Sequence, residues 1–253
     1  MKFVRFSADY RVYTGVLENE SIKVIEGNLF TGWKYNKAVY SKKNVKILAP
    51  LEPNQIIGIG ANYVAKEEDL PKSLPEIPVF FFKPTSSVIG TGDDIVLPHG
   101  IDKVKFESEL AVIIGKEGRF IPESDVSDYV FGYTIGNDVT APQFFHEDGH
   151  WTIGKSFDTF TPLGPAIETE LDPAQVKVKA RLNNDEKQNS GTMLMIFSIS
   201  KMISYLSTVM TLKPGDVILS GSPLGAELIG AKDMIECVVD QIGILRNRIV
   251  STG

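Results

Sequence analysis

Cysteine is almost absent from this 253-residue chain, which has one, Cys237. A single thiol excludes an intrachain disulfide and suits a reducing compartment. It stands in Met234-Ile235-Glu236-Cys237-Val238-Val239, an apolar strand pattern with no basic neighbour to lower its pKa, so it reads as a buried strand residue. Basic excess is lacking too: 26 Lys and Arg face 32 Asp and Glu, and the net charge of −6 argues against a nucleic-acid partner. No stretch approaches the roughly 20 apolar residues of a bilayer-crossing helix. The first ten residues, Met1 to Tyr10, have no apolar core of the signal-peptide kind. The expectation is a soluble, cytoplasmic protein with no membrane partner. Internal repeats and low-complexity tracts are missing. The glycines near residues 58–60 do not make G-x-G-x-x-G, and Gly221-Ser222-Pro223-Leu224-Gly225 is not G-x-S-x-G, so neither a nucleotide cofactor nor a serine nucleophile is indicated.

What is present is an ordinary globular composition, 43% hydrophobic and 23% charged, long enough for one large domain or a domain with a small appendage. Residues 1–49 read as short strands and turns: Phe3 to Phe6, Arg11 to Leu17, a tight turn at Glu18-Asn19-Glu20, then Ser21 to Glu26. Pro50 and Pro53 then punctuate the chain, and a domain boundary is expected near residue 50, dividing a small β-rich unit (1–49) from a catalytic domain (50–253). Beyond it β signals dominate. Pro78 to Lys83 is a buried-strand candidate, Phe106 to Ile114 another, and Val176 to Leu182 alternates apolar with Lys and Arg before a turn at Asn183-Asn184-Asp185. Val217 to Leu219 and Ile235 to Val239 add further strands. One strong helix is predicted from Ser198 to about Thr211, with Ile199, Met202, Ile203, Leu206 and Val209 at helical spacing and Ser198 as cap. A second, short one is expected around Glu123 to Tyr129.

The most informative pair is Glu107 and Glu109, opening the apolar run Leu110 to Ile114. Residues i and i+2 of a strand share a face, with Cα atoms about 6.5 Å apart. Two ionised carboxylates there repel and lose hydration unless a cation or a shared proton compensates. A hard divalent cation is the natural partner: magnesium, with manganese or calcium as alternatives. The bland alternative is a strand end whose glutamates face solvent. Asp138, ending the apolar stretch Gly132 to Asn137, is a turn residue taken alone and a third oxygen donor beside the glutamates. Lys155, beside Gly154 and ahead of an aromatic and proline-rich loop, is either a solvated charge or the cation that stabilises an enolate. His146-Glu147-Asp148-Gly149-His150 formally matches H-E-x-x-H, a zinc pattern that works only on a regular helix. The glycine inside it and the lack of helical periodicity favour a flexible acidic loop instead.

Taken together, Glu107-x-Glu109, Gly132-Tyr133-Thr134 with Asn137-Asp138-Val139-Thr140-Ala141, Lys155-Ser156-Phe157-Asp158-Thr159-Phe160 with Pro162-Leu163-Gly164-Pro165, Met195-Ile196-Phe197, and Leu212 to Pro223 resemble the fumarylacetoacetate hydrolase family, in the family's order from about residue 50 to 250. The resemblance implies an α+β, predominantly β fold: a mixed β-sandwich roll behind the small N-terminal β-rich unit, forming a homodimer. It implies one magnesium or manganese ion held by Glu107, Glu109 and Asp138, with Lys155 as the active-site lysine. Ser222 stands where members commonly have a substrate-contacting Thr, and Tyr63 belongs to the matching Asn62-Tyr63. Members cleave acylpyruvates, decarboxylate oxaloacetate-like acids, isomerise hydroxymuconate-type dioates or dehydrate sugar acids, each by stabilising an enolate of a 2-oxo acid.

This sequence departs from the pattern in one half of the site. After Asn-Tyr, hydrolytic members place a His and then a Glu that activate water, and here the positions hold Lys66 and Asp69. An Arg and a Gln that grip substrate align with Pro142 and Phe145. A lysine of ordinary pKa, near 10.4, is a poor base at neutral pH, so His146 or His150 is the expected proton-transfer group. The expected activity is C–C hydrolysis or decarboxylation of a small 2-oxo acid. Isomerisation or dehydration is the alternative within the family, and a catalytically weak dicarboxylate-binding protein the alternative outside it.

Overall fold

The computed structural model describes residues 1–251. Four strands open the chain: β1 (Lys2–Ala8), β2 (Arg11–Glu18), β3 (Ser21–Asn28) and β4 (Gly32–Ser41). They are followed by β5 (Ile56–Ile59), β6 (Phe80–Lys83), β7 (Asp94–Leu97), β8 (Ser108–Ile114), β9 (Val130–Asn137), β10 (Thr161–Glu168), β11 (Lys177–Leu182) and β12 (Asp185–Gly191). Helix α1 (Ile199–Val209) precedes β13 (Val217–Leu219), β14 (Met234–Val239) and β15 (Gly243–Ser251). The main sheet runs β4-β3-β2-β1-β10-β9-β8-β13-β5-β6, and a five-stranded sheet runs β12-β11-β14-β15-β7. Most pairings are antiparallel, while β13 with β5 and β15 with β7 are parallel, so both sheets are mixed.

The two sheets pack face to face, with β8, β9 and β10 against β11, β14 and β15. Strand β8 lies at the centre and is buried along its whole length. Leu110, Val112 and Ile114 point into the core between the sheets, together with Val178, Ile235 and Leu245. Ala111 and Ile113 point the other way, into a second core with Phe3, Leu163, Ile167 and Val217. Burial on both faces explains why the strand reads as a continuous apolar run rather than an alternating one. The N-terminal strands supply part of that second core and join the main sheet directly, with Phe3 opposite Ile167 of β10.

The short helix expected around 123–129 is present as a six-residue 3-10 helix, Glu123–Asp128, held by i+3 bonds from the Asp125 and Tyr129 N–H groups and burying Val126. A piece that short and polar buries too little to offset the cost of nucleating an α-helix. Strand β6 is present but only partly buried: it is the edge of the main sheet, with Phe82 49% exposed while Lys83 at its end is buried. Helix α1 begins one residue after Ser198, whose Oγ accepts the Lys201 N–H at 3.2 Å as the cap. Asn183 and Asn184 take positive φ, 52° and 76°, in the two-residue turn joining β11 to β12, as hairpin twist requires. Among the described residues no helix is long and apolar enough to cross a membrane.

Candidate metal centre and active site

The site forms where β8 begins and β9 ends. In the β8–β9 ladder Ser108 faces Asn137 and Glu109 faces Gly136, and one step further the Asp138 N–H donates to the Glu107 carbonyl at 2.9 Å. Asn137 Oδ1 accepts the Glu107 N–H at 2.9 Å and ties the two ends together. Two-residue alternation then puts Glu107 and Glu109 on one face, and the cross-strand register puts Asp138 beside them on that face. Gly136, directly opposite Glu109, adds no side chain, so nothing from the facing position crowds the carboxylates. Their ligand-capable oxygens lie within 4.8 Å of one another.

Two ammonium groups enter the cluster. Lys155, on the 3-10 turn Ile153–Lys155, donates to Glu107 Oε2 at 2.6 Å and to Asp138 Oδ2, with its Nζ 4.7 Å from the centre of the Phe81 ring. Its burial opposes the charge, but Asp138 and Glu107 outweigh that and raise its pKa, so the group stays cationic. Lys83, ending β6 with its side chain wholly buried, donates to the carbonyls of Val139 (3.1 Å) and Lys155 (3.0 Å) and sits 2.6 Å from Asp138 Oδ1. It thereby fixes the loop after β9 against the turn that carries Lys155. Asp138, buried and flanked by both lysines, is held below the usual carboxylate range despite desolvation.

Glu109 is different. It is 2% exposed, and among the described residues no ammonium or guanidinium pairs with it; its donor is the Gly221 N–H at 2.6 Å. Burial first, then the charges of Asp138 and Glu107, push its pKa well up. Among the described residues Asp138 Oδ1, although close to Lys83, accepts no hydrogen bond of acceptable geometry. Lys83, Lys155 and the part-exposed Lys105, whose Nζ is 3.0 Å from Glu107 Oε1, pair with Glu107 and Asp138 and leave Glu109 without an ammonium among the described residues, and the three carboxyl groups form an oxygen donor set that fits a hard divalent cation.

The pocket over these groups measures about 470 Å³. Tyr63 and Ser222 line it. The Tyr63 hydroxyl is buried with no hydrogen-bond partner among the described residues, and desolvation, then Glu109, raises its pKa. Ser222 Oγ accepts Gln188 Nε2 at 2.8 Å, and the same amide group donates to the Pro223 carbonyl at 2.6 Å. Gln188 Oε1 in turn accepts the Ser108 N–H at 3.1 Å, so this one buried amide clamps the 221–225 loop to the start of β8.

The structure does not bring every predicted residue to the pocket. Lys66 is exposed, 4.0 Å from Glu68, and Asp69 lies in the exposed turn Glu67–Asp69. His146 and His150 are exposed on a loop that closes on itself through the His146 N–H and His150 carbonyl, with Gly149 at φ 84°; Phe145 and Trp151, flanking them, are the residues that face the pocket. Sequence reasoning missed Lys83, Lys105, Gln188 and the aromatic trio Phe81, Phe145 and Trp151. For Lys83 there was a signal: a charge closing the apolar run Val79 to Phe82, the mirror of the glutamates that open β8.

The fumarylacetoacetate (FAA) hydrolase C-terminal family matches residues 55–250. The chain belongs to the fumarylacetoacetate hydrolase family. Residues 1–50 match a second family, described as Rv2993c-like, N-terminal. A mitochondrial oxaloacetate tautomerase of Xenopus laevis is 39% identical over 230 residues, 85% of this chain and 72% of its own. A 5-carboxymethyl-2-hydroxymuconate delta-isomerase from Mycobacterium smegmatis superposes with a TM-score of 0.93 at 36% identity, covering both chains fully. A maleylpyruvate hydrolase from Sphingobium sp. SYK-6, solved with manganese(II) and pyruvate, gives 0.83 at 30%, again over both whole chains. Members of the fumarylacetoacetate hydrolase family are enzymes, and this chain is one of them.

Proposed function

We propose that this fumarylacetoacetate hydrolase family enzyme enolises a small 2-oxo acid with a divalent cation, magnesium or manganese, acting as a tautomerase or isomerase. The observation that carries the reading is the convergence of Glu107, Glu109 and Asp138 beside the cationic Lys155 in one pocket. The three carboxylates would hold the cation, which supplies Lewis-acid stabilisation of negative charge developing on the substrate. Lys155 presents a fixed, desolvated positive charge to the enolate oxygen, where charge appears only as the reaction proceeds. Tyr63 keeps its proton and offers it as a hydrogen bond to a substrate oxygen. In the reaction a C3–H bond breaks, its proton passing to solvent water, and an O–H bond forms with a proton from solvent, so the enol is an isomer of the oxo acid and no co-reactant is consumed.

C–C hydrolysis, the first expectation from sequence, needs a group that activates water, and Lys66, Asp69, His146 and His150 do not line the pocket. Enolisation needs a proton acceptor but no water held and activated as a nucleophile. The names of relatives, oxaloacetate tautomerase and hydroxymuconate isomerase, support the same choice. A homodimer is part of this reading, tested by light scattering on the purified protein.

Proton–deuterium exchange at C3 of pyruvate and oxaloacetate, followed by NMR with Mg²⁺ or Mn²⁺ and corrected for the metal alone, tests the assignment. Exchange is expected with metal and lost with EDTA. K155M is expected to lower it about 10²- to 10³-fold, the loss seen when a single electrostatic stabiliser is removed. Acylpyruvate cleavage faster than exchange would return the enzyme to the hydrolases.

A further inference from the structure

One wall of the pocket is built of aromatic rings, and it meets the carboxylate cluster at Phe81, whose ring centre lies 4.7 Å from Lys155 Nζ. Trp151 stacks on Phe145, with ring centres 5.8 Å apart and planes at 24°, and meets Phe81 edge to face at 5.7 Å. Pro142, Ile59 and Leu224 continue this apolar wall. The indole reaches it because residue 60 is glycine: a Cβ there would stand 2.5 Å from Trp151 Cζ3 and 2.7 Å from Cη2. The cations of the pocket are already engaged. Lys155 is paired with Glu107 and Asp138, and Lys105, the other lysine in the lining, has its Nζ 3.0 Å from Glu107 Oε1, on the metal side.

We propose that the pocket selects a 2-oxo acid with an apolar, aromatic tail and disfavours one whose tail carries a second carboxylate. The assignment rests on the metal-dependent enolisation proposed above and names the substrate class for it. A carboxylate laid against Phe145 and Trp151 would lose its hydration with no cation to replace it. A phenyl ring there buries apolar surface and stacks on the indole. The 2-oxo acid head is common to both kinds of substrate and binds at the metal end, so the tail alone separates them.

Three acids that differ only beyond C3, namely pyruvate, oxaloacetate and phenylpyruvate, are compared with the Mn²⁺-loaded enzyme by C3 proton exchange, each corrected for metal without protein. Phenylpyruvate is expected to exceed oxaloacetate in kcat/KM by about 10- to 100-fold, the range that burying one aromatic side chain supplies. W151A is expected to cut the phenylpyruvate-to-pyruvate ratio about tenfold or more. F145R, which places a guanidinium on the wall, is expected to shift the preference towards oxaloacetate, and it reads out even if W151A fails to fold. Oxaloacetate preferred by the unaltered enzyme, with exchange intact, overturns the tail assignment and leaves the enolase-type reading standing. Exchange absent for all three acids sinks that underlying reading instead. Calorimetric binding of phenylpyruvate and oxaloacetate then decides the tail question alone, and equal or tighter binding of oxaloacetate overturns it.

Discussion

Glu109 is the residue on which the site's electrostatics turn, because it is a buried carboxylate to which the described residues supply one backbone donor and no paired cation. Its pKa is raised by burial and by its acidic neighbours, so the folded protein without metal holds a proton that the unfolded chain releases above about pH 4.3. Fewer protons bound in the unfolded state mean that stability falls as pH rises from there through the folded pKa. E109Q removes this liability while keeping an oxygen for the Gly221 N–H. In EDTA at pH 8 the variant is expected to melt several degrees above the parent, a gain of roughly 1–3 kcal/mol. With Mn²⁺ at a hundred times its Kd the order reverses, because the parent gains about 2.7 kcal/mol, roughly 5–10 °C, and E109Q loses most of that shift. Differential scanning calorimetry with and without metal measures both signs, and equal shifts in the two proteins would remove Glu109 from the ligand set. At this scale the acidic residues were legible in the sequence, since charge opening or closing an apolar run is conspicuous. Lys83 carried the same kind of signal, closing the run Val79 to Phe82, but its partners, like those of Gln188, come from strands distant in sequence and could not be read there.

Among the elements, α1 was the easiest to see, its apolar residues falling at helical spacing behind a serine cap, while the segment it holds leads into the short helix expected near 123–129, whose 3-10 form periodicity does not tell. The link between them is Ser207, fully buried, whose Oγ accepts the Ile121 N–H at 2.8 Å and donates to the Ser204 carbonyl at 2.7 Å; its carbonyl takes the Phe120 N–H at 2.9 Å. Ser204 Oγ completes the clasp on the Ile121 carbonyl at 2.8 Å. A polar residue on the buried side of a helix is the visible trace of such a clasp, but the partner it holds cannot be read from periodicity. S207A leaves the Ile121 N–H buried and unsatisfied, at a cost of about 1–3 kcal/mol. The expected result is a Tm lower by several degrees in every buffer, with metal-dependent exchange unchanged, because Ser207 is outside the pocket lining. Loss of exchange in the folded variant would show that α1 supports the site and not only the loop beside it.

Across the whole molecule, strand identities were legible while their order was not: hairpins can be read locally, but Phe3 facing Ile167, or β13 running parallel to β5, joins segments that no local pattern connects. That long-range packing makes a dense core between the sheets, and it sets the alkaline limit of the fold. Burial pushes the Cys237 thiol up to about 12, and burial followed by the Asp172 charge pushes Tyr133 up to about 12. In the unfolded chain a thiol ionises near pH 8.5 and a tyrosine near 10. Between about 8.5 and 12, therefore, the unfolded state binds fewer protons than the native one, and stability declines with rising pH by about 1.4 kcal/mol per unit from the thiol alone. Tyr133 adds to the slope only above about pH 10, so between about 8.5 and 10 the difference between the parent and a variant lacking the thiol reports Cys237. Urea unfolding at pH 7.5, 9 and 10 is expected to show a falling midpoint in the parent protein. In C237A the starting midpoint is lower, because a small cavity replaces the sulfur, but the decline attributable to the thiol is gone. The same decline in both proteins would mean that Cys237 ionises freely in the folded state, which a thiol 1% exposed between two packed sheets does not allow.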